Sequence, residues 1–455
     1  MGGDGDLGAV VDGDSGCGVL LCGSLLEEAL VRARVVEDRR FGERLLIWRL
    51  GNGLRVGLVP RRGWAEKFGL FAVRFGSIDT KFRVGERTFR VPAGTAHLLE
   101  HLLFEQTDKP LSEQLAALSI DSNAFTTHTS TAVEISTSGD ILAGLAPLAE
   151  ALINFRLDRG RLEAEKSVVL SELRLSEESP DWLLMMRMLS ALYRRHPVRH
   201  DIVGTPDSIR RITPDHLQVA YNAFYHPRNA VICFAGDIDE GDFIKAVSDT
   251  FGRWRAPTRV GLLLREPDGG APERTPIYIT APMKRQKFAI AYKDMPPRTP
   301  KPLIRRTLVA EIALTALIGS STENYQRLYE KGVIDGSFGA GYMADESFGH
   351  ANLAGDSDDA EASAREVVDV LEEAALVGVD EDVFRRLHRR AIGVYIRRLD
   401  SPSFVATALA TGLFYRHFYT QTLRLLESIT RKEVERFARQ LFVPSKRVVV
   451  ILRSS

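Results

Sequence analysis

His97, Glu100 and His101, in the run Gly94-Thr-Ala-His97-Leu-Leu-Glu100-His101-Leu-Leu-Phe104, leave this part of the chain little conformational choice. Their spacing, i, i+3 and i+4, predicts a helix that projects all three side chains from one face. Two imidazoles one turn apart can chelate a single Zn2+, and a carboxylate between them can reach a water held on that ion. His-x-x-Glu-His is the inverted form of a zinc-hydrolase signature.

A catalytic zinc takes three protein ligands and leaves a fourth position open, so the motif calls for one more His, Asp or Glu. The run Leu162-Glu-Ala-Glu165-Lys-Ser-Val-Val-Leu-Ser-Glu172-Leu-Arg-Leu-Ser-Glu-Glu-Ser-Pro180 can supply it. Read as a helix ending near Pro180, it sets Glu165 and Glu172 two turns apart on one face. By itself such an acidic helix is a solvated surface, and Glu177 and Glu178 are read that way.

Together the two stretches resemble the pitrilysin and insulinase family of zinc metallopeptidases, which includes the mitochondrial processing peptidase. The resemblance implies that Glu172 completes a zinc site with His97 and His101, that Glu100 is the catalytic base, and that Glu165 supports the site from behind. It also implies the fold class: α+β, with two related domains, each a mostly antiparallel sheet packed by helices, forming one half of a clamshell.

The length of 455 residues, 44% hydrophobic and 26% charged, describes a globular protein of more than one domain. Sixty basic residues balance sixty acidic ones, which gives no electrostatic reason to expect nucleic acid or an anionic membrane as partner. Cys17, Cys22 and Cys233 are too few and too scattered for a disulfide framework, so a cytoplasmic location is the simplest reading. No run reaches transmembrane length.

Residues 1–38 read as a flexible tail without a secretory signal, and the folded part as beginning near Phe41. A zinc-bearing domain is expected over 39–254. Leu45 to Val59 reads as two strands joined through Asn52-Gly53, and Phe68 to Ile78 as a strand buried on both faces. A loop through Gly94 then delivers the motif helix. Strand, Gly76-Ser-Ile-Asp79 and helix follow one another as in single-half bacterial members of the family. Beyond the motif, Asp121 to Thr137 is rich in β-branched and hydroxyl side chains and reads as strand. By resemblance, Asn123, Ala124, Phe125 and Thr126 begin an edge strand on which a peptide substrate pairs through its main chain. The span from His101 to Glu172 is shorter than is usual in the family, a difference that falls around Ala116 to Asp121. His128 reads as structural, and Pro197 argues against His196 and His200 as a helical chelating pair.

Residues 140 to about 225 read as mostly helical, followed by a turn and a buried strand to Asp237. Pro and Gly density over 255–276 reads as a linker. A second, non-catalytic α+β domain is expected over 277–455, with a strand at Phe288 to Tyr292, helices from Leu308, Ala360 and Asp380, and a last strand at Arg447 to Leu452. No strong residue-level repeat stands out, although the order of elements echoes the first domain. Active relatives carry an Arg and a Tyr in this second domain. Here Tyr329 stands at the Arg position and Asp335 near the Tyr, while Arg327 and Tyr342 are out of register. The resemblance then implies a heterodimer with a second family member that lacks the zinc motif and supplies the pair, with a homodimer as runner-up. The function read from all this is zinc-dependent endopeptidase action on extended peptides or leader segments. The alternative is a catalytically silent subunit serving as scaffold.

Overall fold

The computed structural model describes residues 33–104 and 109–454. Cys17, Cys22 and the tail reading for residues 1–32 lie outside them. The first unit contains strands β1 (Arg34–Asp38), β2 (Glu43–Arg49), β3 (Arg55–Pro60), β4 (Lys67–Val73), β5 (Lys81–Val84), β6 (Arg87–Arg90), β7 (Asp121–Thr126), β8 (Thr131–Thr137) and β9 (Ala230–Gly236). Its helices are α1 (Thr95–Phe104), α2 (Leu111–Ala116), α3 (Leu145–Ile153), α4 (Arg159–Glu177), α5 (Pro180–Leu192), α6 (Pro206–Arg210), α7 (Pro214–Phe224) and α8 (Glu240–Phe251). The short strand β10 (Gly261–Leu263) leads to the second unit, with β11 (Ile277–Ala281), β12 (Gln286–Asp294), β13 (Gly339–Ala344), β14 (Gly349–Ser357) and β15 (Arg447–Ser454). Its helices are α9 (Pro300–Ile318), α10 (Glu323–Glu330), α11 (Ala360–Val377), α12 (Glu381–Arg398), α13 (Pro402–Tyr415), α14 (Tyr419–Glu427) and α15 (Arg431–Leu441).

Each unit has one main sheet. The first runs β1-β2-β3-β9-β4-β8-β7 and the second β11-β15-β12-β14-β13. Only β3 with β9 and β11 with β15 pair in parallel; every other neighbour in the two sheets is antiparallel. The fold is α+β, in keeping with the sequence reading. Local chemistry accounts for many of the boundaries. The β2–β3 turn closes through Leu50 N to Leu54 O, with Gly53 at φ 95, a conformation cheap only for glycine. The Asp158 side chain caps α4 by accepting from Arg161 N at 2.8 Å. Pro180 then opens α5 at a first-turn position where its missing N–H costs nothing.

Strand β1 begins inside the stretch read as a tail. Val35 enters the core on one face of the sheet and Val36 the core on the other, which fixes this strand against β2. The Pro/Gly-rich stretch 255–276 is anchored too, because β10 pairs with β5 and extends the small β5–β6 hairpin to three strands. Helix α9 starts at Pro300, earlier than the apolar pattern from Leu308 indicated.

The two units repeat element for element near their C-terminal ends. Ile212, Thr213, Leu217, Phe224 and Pro227 recur at constant separation as Ile429, Thr430, Val434, Leu441 and Pro444. In both copies a threonine precedes the helix, and a short 3-10 turn opening on proline leads into the strand that pairs in parallel. Three of the five pairs are identical, and such matches are too thinly spread to stand out in the sequence.

The units are not packed as they are numbered. Helix α13, from the second half of the chain, lies across β3, β4 and β9 of the first sheet, and a Cβ on Gly57 would come within 2.6 Å of the Leu409 side chain. Helix α5 reciprocates on β12 and β15 of the second sheet. Strand β4 is therefore buried along nearly its whole length, covered by α13 on one face and by the first unit's own core on the other. This explains its continuous apolar run.

A buried ion pair ties these layers together. Arg265 Nε and Nη2 donate to the two carboxylate oxygens of Asp79 at 2.8 and 2.9 Å, and Nη2 also donates to the Thr129 carbonyl at 3.0 Å. Gly76 N donates to Asp79 as well, and Asp345 of the second unit stands 3.5 Å from Arg265 Nη1. Removing one partner from such a pair leaves a charge in the core, so Arg265→Ala is expected to lower unfolding free energy by about 3–5 kcal/mol in urea titration. A change below about 1 kcal/mol, typical of an exposed pair, would show that residues 255–276 are slack.

Candidate active site

Helix α1 is seated by two glycines. Gly94 has φ 86, and a Cβ there would fall 2.2 Å from the Val203 carbonyl oxygen; a Cβ on Gly204, φ 100, would fall 2.7 Å from the Ala93 carbonyl oxygen. The loop before α1 thus locks against the loop before α6 at a distance no side chain permits. Leu98, Leu99, Leu102 and Leu103 anchor the helix in the core, while His97 and His101 keep partial exposure. Helix α1 packs on α4 and on β7, which brings three segments distant in sequence to one place.

His97, His101 and Glu172 converge there. One ligand atom from each lies within 4.8 Å of the others, and no other such group of three occurs among the described residues. His101 Nε2 faces Glu172 Oε2 at 3.6 Å, and its Nδ1 is 3.2 Å from Glu165 Oε2. With the proton on Nδ1 directed at Glu165, Nε2 presents its lone pair toward Glu172. Burial and the neighbouring His101 lower the His97 pKa to about 4, so His97 is neutral near neutral pH. His97 Nδ1 is buried without a hydrogen-bond partner. Two imidazoles with free lone pairs and one carboxylate, backed by a second carboxylate, are a donor set that fits zinc.

Glu100 is only 7% exposed. Burial raises its pKa, and the Thr126 hydroxyl, donating to Oε2 at 2.6 Å, pulls the other way. The Glu100 carboxylate is thus held beside the cluster by a fixed donor. Behind it, burial and the Glu100 charge hold the phenol of Tyr225 above its ordinary range. The sequence offered no signal for Tyr225, whose position follows from the turn after α7.

Among the described residues, strand β7 is the outermost strand of its sheet and pairs only with β8. Of the four residues read as a substrate strand, Thr126 hydrogen-bonds to Glu100. Asn123 hydrogen-bonds to Glu134 opposite it, and Ala124 and Phe125 pack against the cores on opposite faces. The turn into β7 contains Ser119 at φ 58. His128 is engaged elsewhere, 3.2 Å from Ser77 Oγ and edge-on to Phe348. In the second unit Tyr329 is exposed and stacks on Tyr325, and Asp335 pairs with Arg285. The Tyr342 hydroxyl donates to Asp294, which Arg306 also holds. No helix among the described residues is long and apolar enough to cross a membrane.

The family model described as "Insulinase (Peptidase family M16)" matches residues 90–206, and "Peptidase M16 inactive domain" matches residues 211–390. The chain is 30% identical over 405 residues to the uncharacterized zinc protease YmfH of Bacillus subtilis, covering 88% of this chain and 94% of that one. A crystal structure of a putative M16-like peptidase from Alicyclobacillus acidocaldarius superposes with a TM-score of 0.87 at 27% identity, over 91% of this chain and 99% of that one. Pitrilysin shares the fold with a TM-score of 0.70 at 18% identity; 91% of this chain matches 45% of the pitrilysin chain. With its His-x-x-Glu-His helix inside the first model and a relative matched along nearly its whole length, the chain belongs to the insulinase family of peptidases, family M16.

Proposed function

We propose that the chain is a zinc metalloendopeptidase acting on extended peptides or leader segments, with the ion held by His97, His101 and Glu172. The observation that carries this reading is the convergence of those three donors beside a buried Glu100. Zinc bound there would supply Lewis acidity, polarising a carbonyl and making a water more acidic. Glu100 moves the proton: its carboxylate takes one from the attacking water and returns it to the leaving amine nitrogen. A raised pKa suits both halves of that task, and the Thr126 hydroxyl keeps the carboxylate from turning away. Glu165 orients His101 through Nδ1. The free edge of β7 at Asn123 to Thr126 takes the substrate main chain as an added strand, an interaction that depends little on side-chain sequence.

The zinc-bearing chain acts, in this reading, with a second family chain that lacks His-x-x-Glu-His and brings an electrophilic Arg and Tyr. The state of the corresponding region favours it. Tyr329 replaces the arginine, Asp335 is tied to Arg285, and the Tyr342 hydroxyl is spent on Asp294.

Glu100→Gln is expected to keep one zinc per chain by elemental analysis while peptide hydrolysis falls about 10²- to 10⁴-fold; undiminished turnover would refute the role of Glu100. Glu165→Gln should weaken zinc binding about 10- to 100-fold in competition with a chelator, without abolishing it. The purified chain alone should hydrolyse a pool of unstructured peptides slowly or not at all while fully zinc-loaded. Rapid hydrolysis by a chain that sediments as a monomer would remove the need for a partner.

A further inference from the structure

A cavity of about 750 Å³ opens where β1, β2 and β3 of the first unit meet the start of α9 and the α13–α14 junction of the second. Its lining is strongly one-sided in charge: Arg34, Arg55, Lys301, Arg416 and Arg424 face it, against the single carboxylate of Asp38. Asp38 neutralises little of this. Its Oδ2 is buried without a hydrogen-bond partner and stands 3.9 Å from Arg424, while Oδ1 accepts from the Arg40 backbone. Arg55 is partly satisfied by the Leu413 carbonyl and the Phe414 ring. The side chains of Arg34, Lys301 and Arg416 form no ion pair among the described residues.

Five cations facing one carboxylate repel one another, and a chain whose charges balance overall has no need to gather them around one cavity. Two further features of the wall favour an anion. His417 lines the cavity, is only 8% exposed, and its Nε2 has no hydrogen-bond partner. The first turn of α14 also opens there, through Phe418, Thr420 and Gln421, and brings the positive end of its dipole, although Phe418 N donates to Gln421 Oε1 and Gln421 N to the Phe418 carbonyl. Burial and the charge of Lys301 lower the His417 pKa, so the imidazole is neutral and offers an N–H or a lone pair rather than a sixth charge.

We propose that this cavity is a binding site for a small soluble anion carrying two or more phosphate groups. The excess of cations over Asp38 calls for several negative charges, and the volume lies within the range of ligand pockets. Because the walls come from both units, the bound anion joins β1–β3 to the α13–α14 junction and stabilises the contact between them. The site is separate from the cluster on α1 and α4, and its occupancy does not depend on peptide hydrolysis.

The probe is inorganic pyrophosphate, titrated calorimetrically into the full chain, with sodium chloride at matched ionic strength as control. One site per chain is expected, with affinity that falls as salt is raised and a melting temperature that rises with pyrophosphate beyond the salt control. Lys301→Gln with Arg416→Gln should weaken binding at least tenfold while zinc content stays unchanged, which separates the cavity from any removal of metal by pyrophosphate. Arg34→Gln, at an exposed strand end, should weaken it less and serves if the double variant fails to fold. Binding of equal strength in all three proteins would overturn the proposal, as would a response to pyrophosphate no larger than that to salt. Co-sedimentation with anionic vesicles in the absence of any pyrophosphate effect would also overturn it.

Discussion

A guanidinium removed from water has to be surrounded by acceptors, and Arg265 meets that requirement only where several parts of this fold come together. Its partners are Asp79 in the turn after β4, the Thr129 carbonyl in the turn between β7 and β8, and Asp345 in the second unit. Asp79 in turn fixes the Gly76 amide. The β7–β8 hairpin therefore has its closed end pinned, and Thr126, close to that end, is set against Glu100. The position of the Glu100 carboxylate relative to the strand edge thus rests on an interaction formed away from His97, His101 and Glu172. Uncompensated charge in the core is costly, so the geometry around Asp79 is strongly specified.

Much of the metal cluster was legible in the sequence because a helix converts spacing into direction. His97, Glu100 and His101 follow from the period of one helix, and Glu165 with Glu172 from another. That the two helices face each other does not follow from either period. The resemblance supplied that pairing, and the convergence of His97, His101 and Glu172 is consistent with it. The hairpin at Asn52-Gly53 and the buried β4 were legible from turn chemistry and apolar continuity.

What could not be read was decided by contacts between segments far apart in the chain. Arg265 sits among prolines and glycines that signal a linker, and only the position of Asp79 makes it a core residue. Strand β1 is too short for its alternation to stand out, and it is fixed by having a core on each side. The recurrence of Ile212 to Pro227 as Ile429 to Pro444 is not legible because most positions between the matching residues differ. Thr126 was read as a main-chain contact; its hydroxyl gives it a second role that strand patterning does not reveal.

The exchange of α5 and α13 between the sheets has a consequence for how the chain matures. During synthesis from the N-terminus, β2, β3, β4 and β9 are complete once residue 236 has emerged, yet the helix that covers their outer face begins only at Pro402. Until then a surface that includes Val59, Leu70, Val231 and Ala235 has no native cover and stays exposed. The nascent first unit is thus open to wrong pairings and to capture by chaperones while residues 237–402 are being made. The half of the sequence that carries His97, His101 and Glu172 reaches its final packing only after helix α13, ending at Tyr415, has been made.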